Sequence, residues 1–103
     1  MIVELGADGA VVREPDDCIS LSVATALTGT DLDAALHTSG TGTRSADGDS
    51  VLLDVSVLHD RARAGASAPD WESRWTAMIE YAARKGWLSA DGSAVQAHVE
   101  RAS

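Results

Sequence analysis

Four side chains in this sequence of 103 residues could serve as a nucleophile, a general base or a zinc ligand: Cys18, His37, His59 and His98. They are scattered along the chain and lack the paired spacing that is typical of zinc sites. Cys18 lies near the start of a predicted helix, whose dipole would lower the pKa of the thiol, but Asp16 and Asp17 would raise that pKa. We therefore predict no catalytic residue and no metal site, and the sequence leaves the roles of these four residues open.

The polar residues 38–50 contain fragments of two ligand-binding motifs. If Asp47-Gly48 is aligned with the central Asp-Gly of an EF-hand calcium loop, Thr43 takes the first position, where a carboxylate is required. Gly40-Thr41-Gly42 is part of a glycine-rich phosphate-binding pattern, but it lacks the lysine that such a loop needs. We expect residues 38–50 to form one long exposed loop.

The aromatic residues are concentrated in residues 69–88, which hold all three tryptophans and the only tyrosine. Five apolar residues of this segment recur on one face of a helix: Trp71, Trp75, Met78, Ile79 and Ala82. Ser67 is placed to cap the start of this helix, and Gly86 is placed to follow its end. The sequence therefore predicts an amphipathic helix around which the rest of the chain is organised.

The aromatic residues also predict a binding surface. An aromatic stripe usually belongs to a core, and stacking on a flavin or another aromatic ligand is an alternative. Leu, Ile and Val total 21 and Phe is absent, so the core is thin for three indole rings. We place Trp75 in the core and predict that Trp71, Trp87, Tyr81 and His98 contact a protein partner, either a larger subunit or a second copy of the chain.

The charge of the chain is acidic and unevenly distributed. The net charge is −8, and residues 1–60 carry eleven acids against Arg13 and Arg44, whereas residues 61–103 carry six bases against five acids. An acidic surface repels phosphate backbones, so we expect no binding to nucleic acid. The N-terminus has neither a basic region nor a long apolar run, and Cys18 has no second cysteine to pair with, so we predict a cytoplasmic location without a membrane span.

The pattern of the whole chain predicts an α+β fold in a single domain, 1–103, with three to four short helices and a small antiparallel β-sheet made of hairpins. A hairpin is expected over residues 2–5 and 10–13 because Asp8-Gly9 is a turn signal. Residues 17–28 are expected to form a helix with the apolar stripe Ile19, Val23, Ala26 and Leu27, ended by Gly29.

The remaining elements follow the same rules of capping and periodicity. Thr30 is predicted to cap a short helix that buries Leu32, Ala35 and Leu36 and ends near residues 39–40. A strand is expected over residues 51–55, and a helix over 56–64, capped by Asp54 or Ser56, with Val57, Leu58 and Ala62 facing inward. The final strand, 94–100, alternates between Val95, Ala97 and Val99 on one face and Gln96, His98 and Glu100 on the other.

The C-terminal third, from Trp71 through KGWLSADGSAVQAHVE (residues 85–100), resembles the small subunits of actinobacterial cyclodipeptide oxidases. This resemblance implies an accessory role beside a flavin-dependent, nitroreductase-like subunit. It also implies that FMN is held by that partner subunit, and that this chain has no cofactor of its own.

The predicted function is therefore a non-catalytic accessory or structural small subunit that docks on a partner protein in a hetero-oligomer, within an FMN-dependent oxidoreductase assembly. One alternative is a winged-helix-like DNA-binding regulator, since two short helices joined by residues 28–30 precede a further helix and a hairpin. The charge opposes this alternative. Another alternative is a small stand-alone domain of unknown activity.

Overall fold

The computed structural model describes residues 1–45 and 49–101, and six strands of this part form one mixed β-sheet. The strands are β1 Ile2–Gly6, β2 Gly9–Arg13, β3 Ser22–Thr25, β4 Gly42–Arg44, β5 Ser50–Asp54 and β6 Ala94–Arg101. The helices are α1 Gly29–Ser39, α2 Val55–Gly65 and α3 Trp71–Arg84. The predicted α+β class is confirmed, but the sheet is larger than the predicted set of hairpins, and it is mixed where an antiparallel sheet was predicted, because β3 pairs in parallel with two neighbours.

The strand order is β2-β1-β3-β6-β5-β4. The pairs β1–β2, β5–β6 and β4–β5 are antiparallel, whereas β3 pairs in parallel with both β1 and β6. Helix α1 contacts β1 and β2 at one edge of the sheet and β4 at the other. Since one helix reaches both edges, the sheet must curve around it.

The prediction of a helix over residues 17–28 is wrong. Residues 17–21 have no regular structure, and Ser22–Thr25 forms the central strand β3. Val23 and Thr25, both β-branched, are completely or almost completely buried on one face of β3, and the Thr25 hydroxyl donates a hydrogen bond of 2.8 Å to the carbonyl of Leu5. Burial of β3 between two strands therefore overrides the predicted helical stripe, whose first member, Ile19, is 93% exposed.

The prediction of one continuous loop over residues 38–50 is also wrong. Helix α1 runs to Ser39 and is followed by Gly40 in the left-handed conformation, with a φ of 67°, after which β4 pairs with β5. Arg61 on α2 donates hydrogen bonds to the Ser39 carbonyl and the Thr41 hydroxyl, which fixes this connection. Residues 46–48, which include the Asp-Gly of the calcium-loop comparison, lie outside the described residues.

Most of the other predicted elements are confirmed. The N-terminal hairpin, strand β5 and the alternation of β6 form as predicted, and α1 buries Leu32, Ala35 and Leu36 as predicted. The predicted Thr30 cap of α1 is wrong, because the helix begins at Gly29 with Thr28 in the cap position. The Asp54 carboxylate caps α2 by accepting a hydrogen bond of 3.1 Å from the Val57 amide, and Leu58 and Ala62 are buried. Val57 itself is only half-buried.

Helix α3 confirms the predicted aromatic helix and buries Trp71, Trp75, Met78 and Ala82 in the same core as the sheet. The Trp71 and Trp75 rings stack with centroids 5.5 Å apart. The cap differs from the prediction because Asp70 occupies that position, and Ser67 instead donates its amide and hydroxyl hydrogens to the Asp16 carboxylate. None of the helices in the described ranges is long and apolar enough to cross a membrane.

Substitution of Gly42 tests the close approach of β4 to β5. A Cβ atom at this position would lie 2.0 Å from the carbonyl oxygen of Leu52, and a backbone oxygen inside a sheet cannot move aside easily. We expect Gly42→Ala to lower the free energy of unfolding by about 3 kcal/mol or more, the upper end of the range for overpacking, as measured by urea denaturation. Gly6→Ala is the matched control, since a Cβ there meets nothing within 4 Å. Equal stability of the two variants would contradict the described packing.

Candidate functional site

A cleft of about 480 Å³ lies between α3 and β6. Its lining comes from four separate parts of the chain: residues 19–21 of the loop before β3, residues 78, 79, 81 and 82 of α3, Trp87, and Ser50, Val95, Gln96 and His98 of the sheet. We call it the aromatic cleft, because Tyr81 and Trp87 form one side of it. Its volume falls in the range that proteins use for binding ligands or anchoring side chains of a partner.

Large exposed apolar side chains are concentrated at the aromatic cleft. Among the described residues, four large hydrophobic side chains are exposed: Val11, Ile19, Tyr81 and Trp87. Three of these four line the aromatic cleft, with Ile19 93% exposed and Tyr81 and Trp87 each 44% exposed. Exposed apolar side chains that gather around one cleft in this way are typical of an interaction site.

The turn after α3 positions the aromatic pair. Gly86 adopts a positive φ of 78° and lets the chain reverse, after which the Trp87 amide donates a hydrogen bond of 2.9 Å to the Ala82 carbonyl. The Trp87 carbonyl accepts a hydrogen bond of 2.7 Å from the Gln96 amide. The Trp87 ring then meets Tyr81 nearly edge to face, with centroids 5.8 Å apart. The backbone at Trp87 is therefore fixed on both sides, and the two rings pack against each other.

Hydrogen bonds also hold the loop that presents Ile19. The Asp17 carboxylate accepts a hydrogen bond of 3.0 Å from the Ile19 amide, and this bond is the main reason that the pKa of Asp17 lies below its usual value. The same carboxylate lies 3.4 Å from the Met1 ammonium group. Ile19 therefore projects from a turn whose backbone is tied to the rest of the molecule.

The polar side of the aromatic cleft is formed by β5 and β6. Ser50 lies directly opposite His98 in the β5–β6 register, and its hydroxyl accepts a hydrogen bond of 3.2 Å from the Gln96 side-chain amide. The amide that contacts the Ser50 hydroxyl cannot take its proton as a general base does. Ser50, Gln96 and His98 can orient polar groups of a bound molecule.

The structure brings together three of the four residues predicted to contact a partner. Tyr81, Trp87 and His98 all line the aromatic cleft. Trp71 does not, since it is fully buried at the start of α3 and its indole N–H donates a hydrogen bond of 2.6 Å to the Pro15 carbonyl. We therefore leave Trp71 out of the candidate surface. Ile19 was missed because the sequence pattern placed it on the buried face of a helix that does not form.

A second cluster of polar side chains surrounds His59, which joins α2 to α3. Its Nε2 atom lies 3.1 Å from both carboxylate oxygens of Glu72, and its ring contacts Trp71 and Trp75 at centroid distances of 5.3 Å. The hydrogen bond with Glu72 raises the pKa of His59 above its usual value, although partial burial opposes this effect. Arg63 also lies 3.3 Å from Glu72. We interpret this cluster as a link between the two helices.

The other candidate residues of the sequence remain apart. Burial raises the pKa of the Cys18 thiol, which opposes formation of the reactive thiolate. His37 is exposed on α1, outside both the aromatic cleft and the His59 cluster. Within residues 1–45 and 49–101, no group of three or more His, Cys, Asp or Glu side chains is arranged to hold a metal ion.

Comparison with known proteins adds no family to this description. The chain matches no protein-family model, no curated protein and no solved structure. The resemblance to cyclodipeptide oxidase small subunits therefore stays a prediction.

The His59 cluster predicts a pH-dependent stability. Because the pKa of His59 is higher in the folded state than in the unfolded chain, its contribution is fully present below about pH 6.5 and is lost as the pH rises through the folded-state pKa. We expect the difference in free energy of unfolding between wild type and Glu72→Gln to shrink between pH 6 and pH 8.5. The difference should be measured by urea denaturation at each pH. A pH-independent difference would contradict the His59–Glu72 interaction, because the Arg63 contribution does not titrate in this range.

Proposed function

We propose that this chain is a non-catalytic accessory subunit that docks on a partner protein through the aromatic cleft. The observation that carries this proposal is the convergence of Ile19, Tyr81 and Trp87, three of the four large hydrophobic side chains exposed among the described residues. Aromatic and aliphatic side chains that cluster in this way commonly anchor protein interfaces.

The preorganisation of the cleft supports docking. The backbone hydrogen bonds of Trp87 and the edge-to-face contact with Tyr81 restrict the two rings in the free chain. Side chains that are already ordered lose less conformational entropy on association, so more of the contact energy is retained as affinity. Ile19 lines the cleft but is 93% exposed, so it would meet a protein surface more readily than an enclosed small molecule.

The nature of the partner is proposed from the C-terminal resemblance. Tyr81, Trp87, Gln96 and His98 all fall within the segment that resembles cyclodipeptide oxidase small subunits. On this basis the partner is the larger, flavin-dependent subunit of an oxidoreductase complex in the cytoplasm. The FMN would belong to that subunit, and this chain would contribute surface to the assembly.

The DNA-binding alternative has lost the feature on which it rested. That hypothesis required two short helices joined by residues 28–30, but the first of them is replaced by a loop and strand β3. The net charge of −8 continues to oppose contact with a phosphate backbone. The remaining alternative, a stand-alone domain, is tested by the same experiment as the proposal.

Trp87→Ala tests the proposed docking surface. We expect the variant to keep its circular dichroism spectrum and to lose less stability than the about 3–5 kcal/mol typical of a buried tryptophan, because the side chain is 44% exposed. Its affinity for the partner should fall by at least about 2 kcal/mol, roughly 30-fold, as for an aromatic hot spot. The affinity is measured by calorimetry after co-expression with the products of adjacent genes has identified the partner.

Val11→Ala is the matched control for this test. Val11 is 61% exposed but lies on β2, outside the lining of the aromatic cleft. It should bind the partner like the wild type. If no adjacent gene product associates with the chain, the proposal of a larger partner subunit is wrong. If Trp87→Ala binds as tightly as Val11→Ala, docking through the aromatic cleft is wrong.

A further inference from the structure

Two cations, Arg84 and Lys85, do not line the aromatic cleft themselves but lie beside Tyr81, which does, and we call this position the rim of the cleft. Their charges bear on what kind of segment docks there. This inference rests on the proposed docking function. Arg84 Cζ lies 5.9 Å from the centroid of the Tyr81 ring, and Lys85 Nζ lies 5.5 Å from it. A cation is attracted to the negative face of an aromatic ring. Both charges are therefore held beside a side chain that lines the cleft.

Arg84 and Lys85 differ from the other described cations of the chain. The other arginines with described side chains have polar partners within the molecule: Arg13 with Glu4, Arg44 with Asp33, Arg63 with Glu72, Arg74 with Asp70, and Arg61 with Ser39 and Thr41. Among the described residues, Arg84 and Lys85 form no ion pair. Their N–H donors are thus available to a partner.

This difference is not caused by a shortage of carboxylates. The chain carries 16 acidic residues against 8 basic ones. Glu80 precedes Arg84 by four residues on α3, a spacing that commonly forms an ion pair on a helix. The guanidinium group nevertheless lies over Tyr81. The two cations therefore stay at the cleft although acidic side chains are available nearby.

Local charge, and not net charge, governs what binds at this rim. At physiological salt the Debye length is about 8 Å, so acidic residues farther than this from the cleft are largely screened from a segment in it. The Asp17 carboxylate is nearer, but it already accepts a hydrogen bond from the Ile19 amide and lies 3.4 Å from the Met1 ammonium group. Such a segment meets the apolar side chains of Ile19 and Trp87 together with the charges of Arg84 and Lys85. Complementary chemistry is an apolar side chain flanked by carboxylates.

We propose that the occupant of the aromatic cleft is a segment of a partner protein in which aliphatic or aromatic residues are flanked by Asp or Glu. The apolar side chains enter the cleft beside Trp87. The carboxylates accept hydrogen bonds from Arg84 and Lys85 at its rim.

The probe is a display library of random peptides of about 16 residues, long enough for four turns of helix. It is selected on the full chain and counter-selected on Trp87→Ala. We expect the enriched peptides to combine large apolar residues with Asp or Glu. Their affinity, measured by fluorescence anisotropy, should fall at least tenfold with Arg84→Gln/Lys85→Gln. It should change less than threefold with Arg13→Gln/Arg44→Gln, which alters the net charge equally at other sites.

A charge exchange adds a readout that loss of folding cannot produce. The variant Arg84→Glu/Lys85→Glu should bind weakly to the acidic peptides, and it should regain affinity for versions of the same peptides whose Asp and Glu are replaced by Lys. Circular dichroism of each variant confirms that it is folded.

The remaining outcomes separate failure of this inference from failure of the proposed function. Peptides that require Trp87 but lack acidic residues, or that ignore Arg84→Gln/Lys85→Gln, overturn the inference and leave docking intact. Self-association that requires Trp87 in sedimentation equilibrium, without selected peptides, shows that a second copy is the occupant and also overturns the inference. If neither peptides nor a second copy require Trp87, docking at the cleft fails together with the inference.

Discussion

The parallel pairing of β3 with β6 joins the two halves of the sheet. On one side of this pair stand β1 and β2, and on the other stand β5 and β4. Val23 and Val99 lie opposite each other in its register, and both are buried in the core. Without this contact, two three-stranded fragments would each expose an unpaired edge and half of an apolar face. The aromatic cleft depends on it too, because β6 carries Gln96 and His98 and the loop leading to β3 carries Ile19.

The sequence predicted the elements whose signals are local. Residues only a few positions apart determine the turn of the first hairpin, the Asp54 cap of α2, the aromatic face of α3 and the alternation of β6. The central strand could not be predicted in this way. Val23 and Thr25 form a strand because β1 and β6 pair with β3 on its two sides. The β6 partners lie more than 70 positions away along the chain, so no local pattern predicts this pairing.

The sequence predicted only part of the candidate site, because residue type is a local signal whereas burial depends on residues far apart in the chain. Tyr81 and Trp87 were selected by residue type, and His98 by its place on the polar face of β6. Trp71 was selected on the same grounds, but its burial depends on Pro15, whose carbonyl accepts its indole hydrogen bond across 56 positions of sequence. The absence of carboxylate partners for Arg84 and Lys85 among the described residues also has no sequence signal, because Glu80 has the correct spacing for a pair.

The position of β6 has a consequence for biosynthesis. This strand comes after all the other described elements in chain order, yet it lies inside the sheet, between β3 and β5. On a ribosome that adds about 5 to 20 residues per second, roughly 4 to 15 seconds separate the synthesis of β3 from that of β6. From the synthesis of β5 until that of β6, the nascent chain has two strand edges, at β3 and β5, whose partner has not yet been made. The chain is therefore exposed to strand pairing with neighbouring nascent chains, and a chaperone that shields these edges would act on it before the core closes.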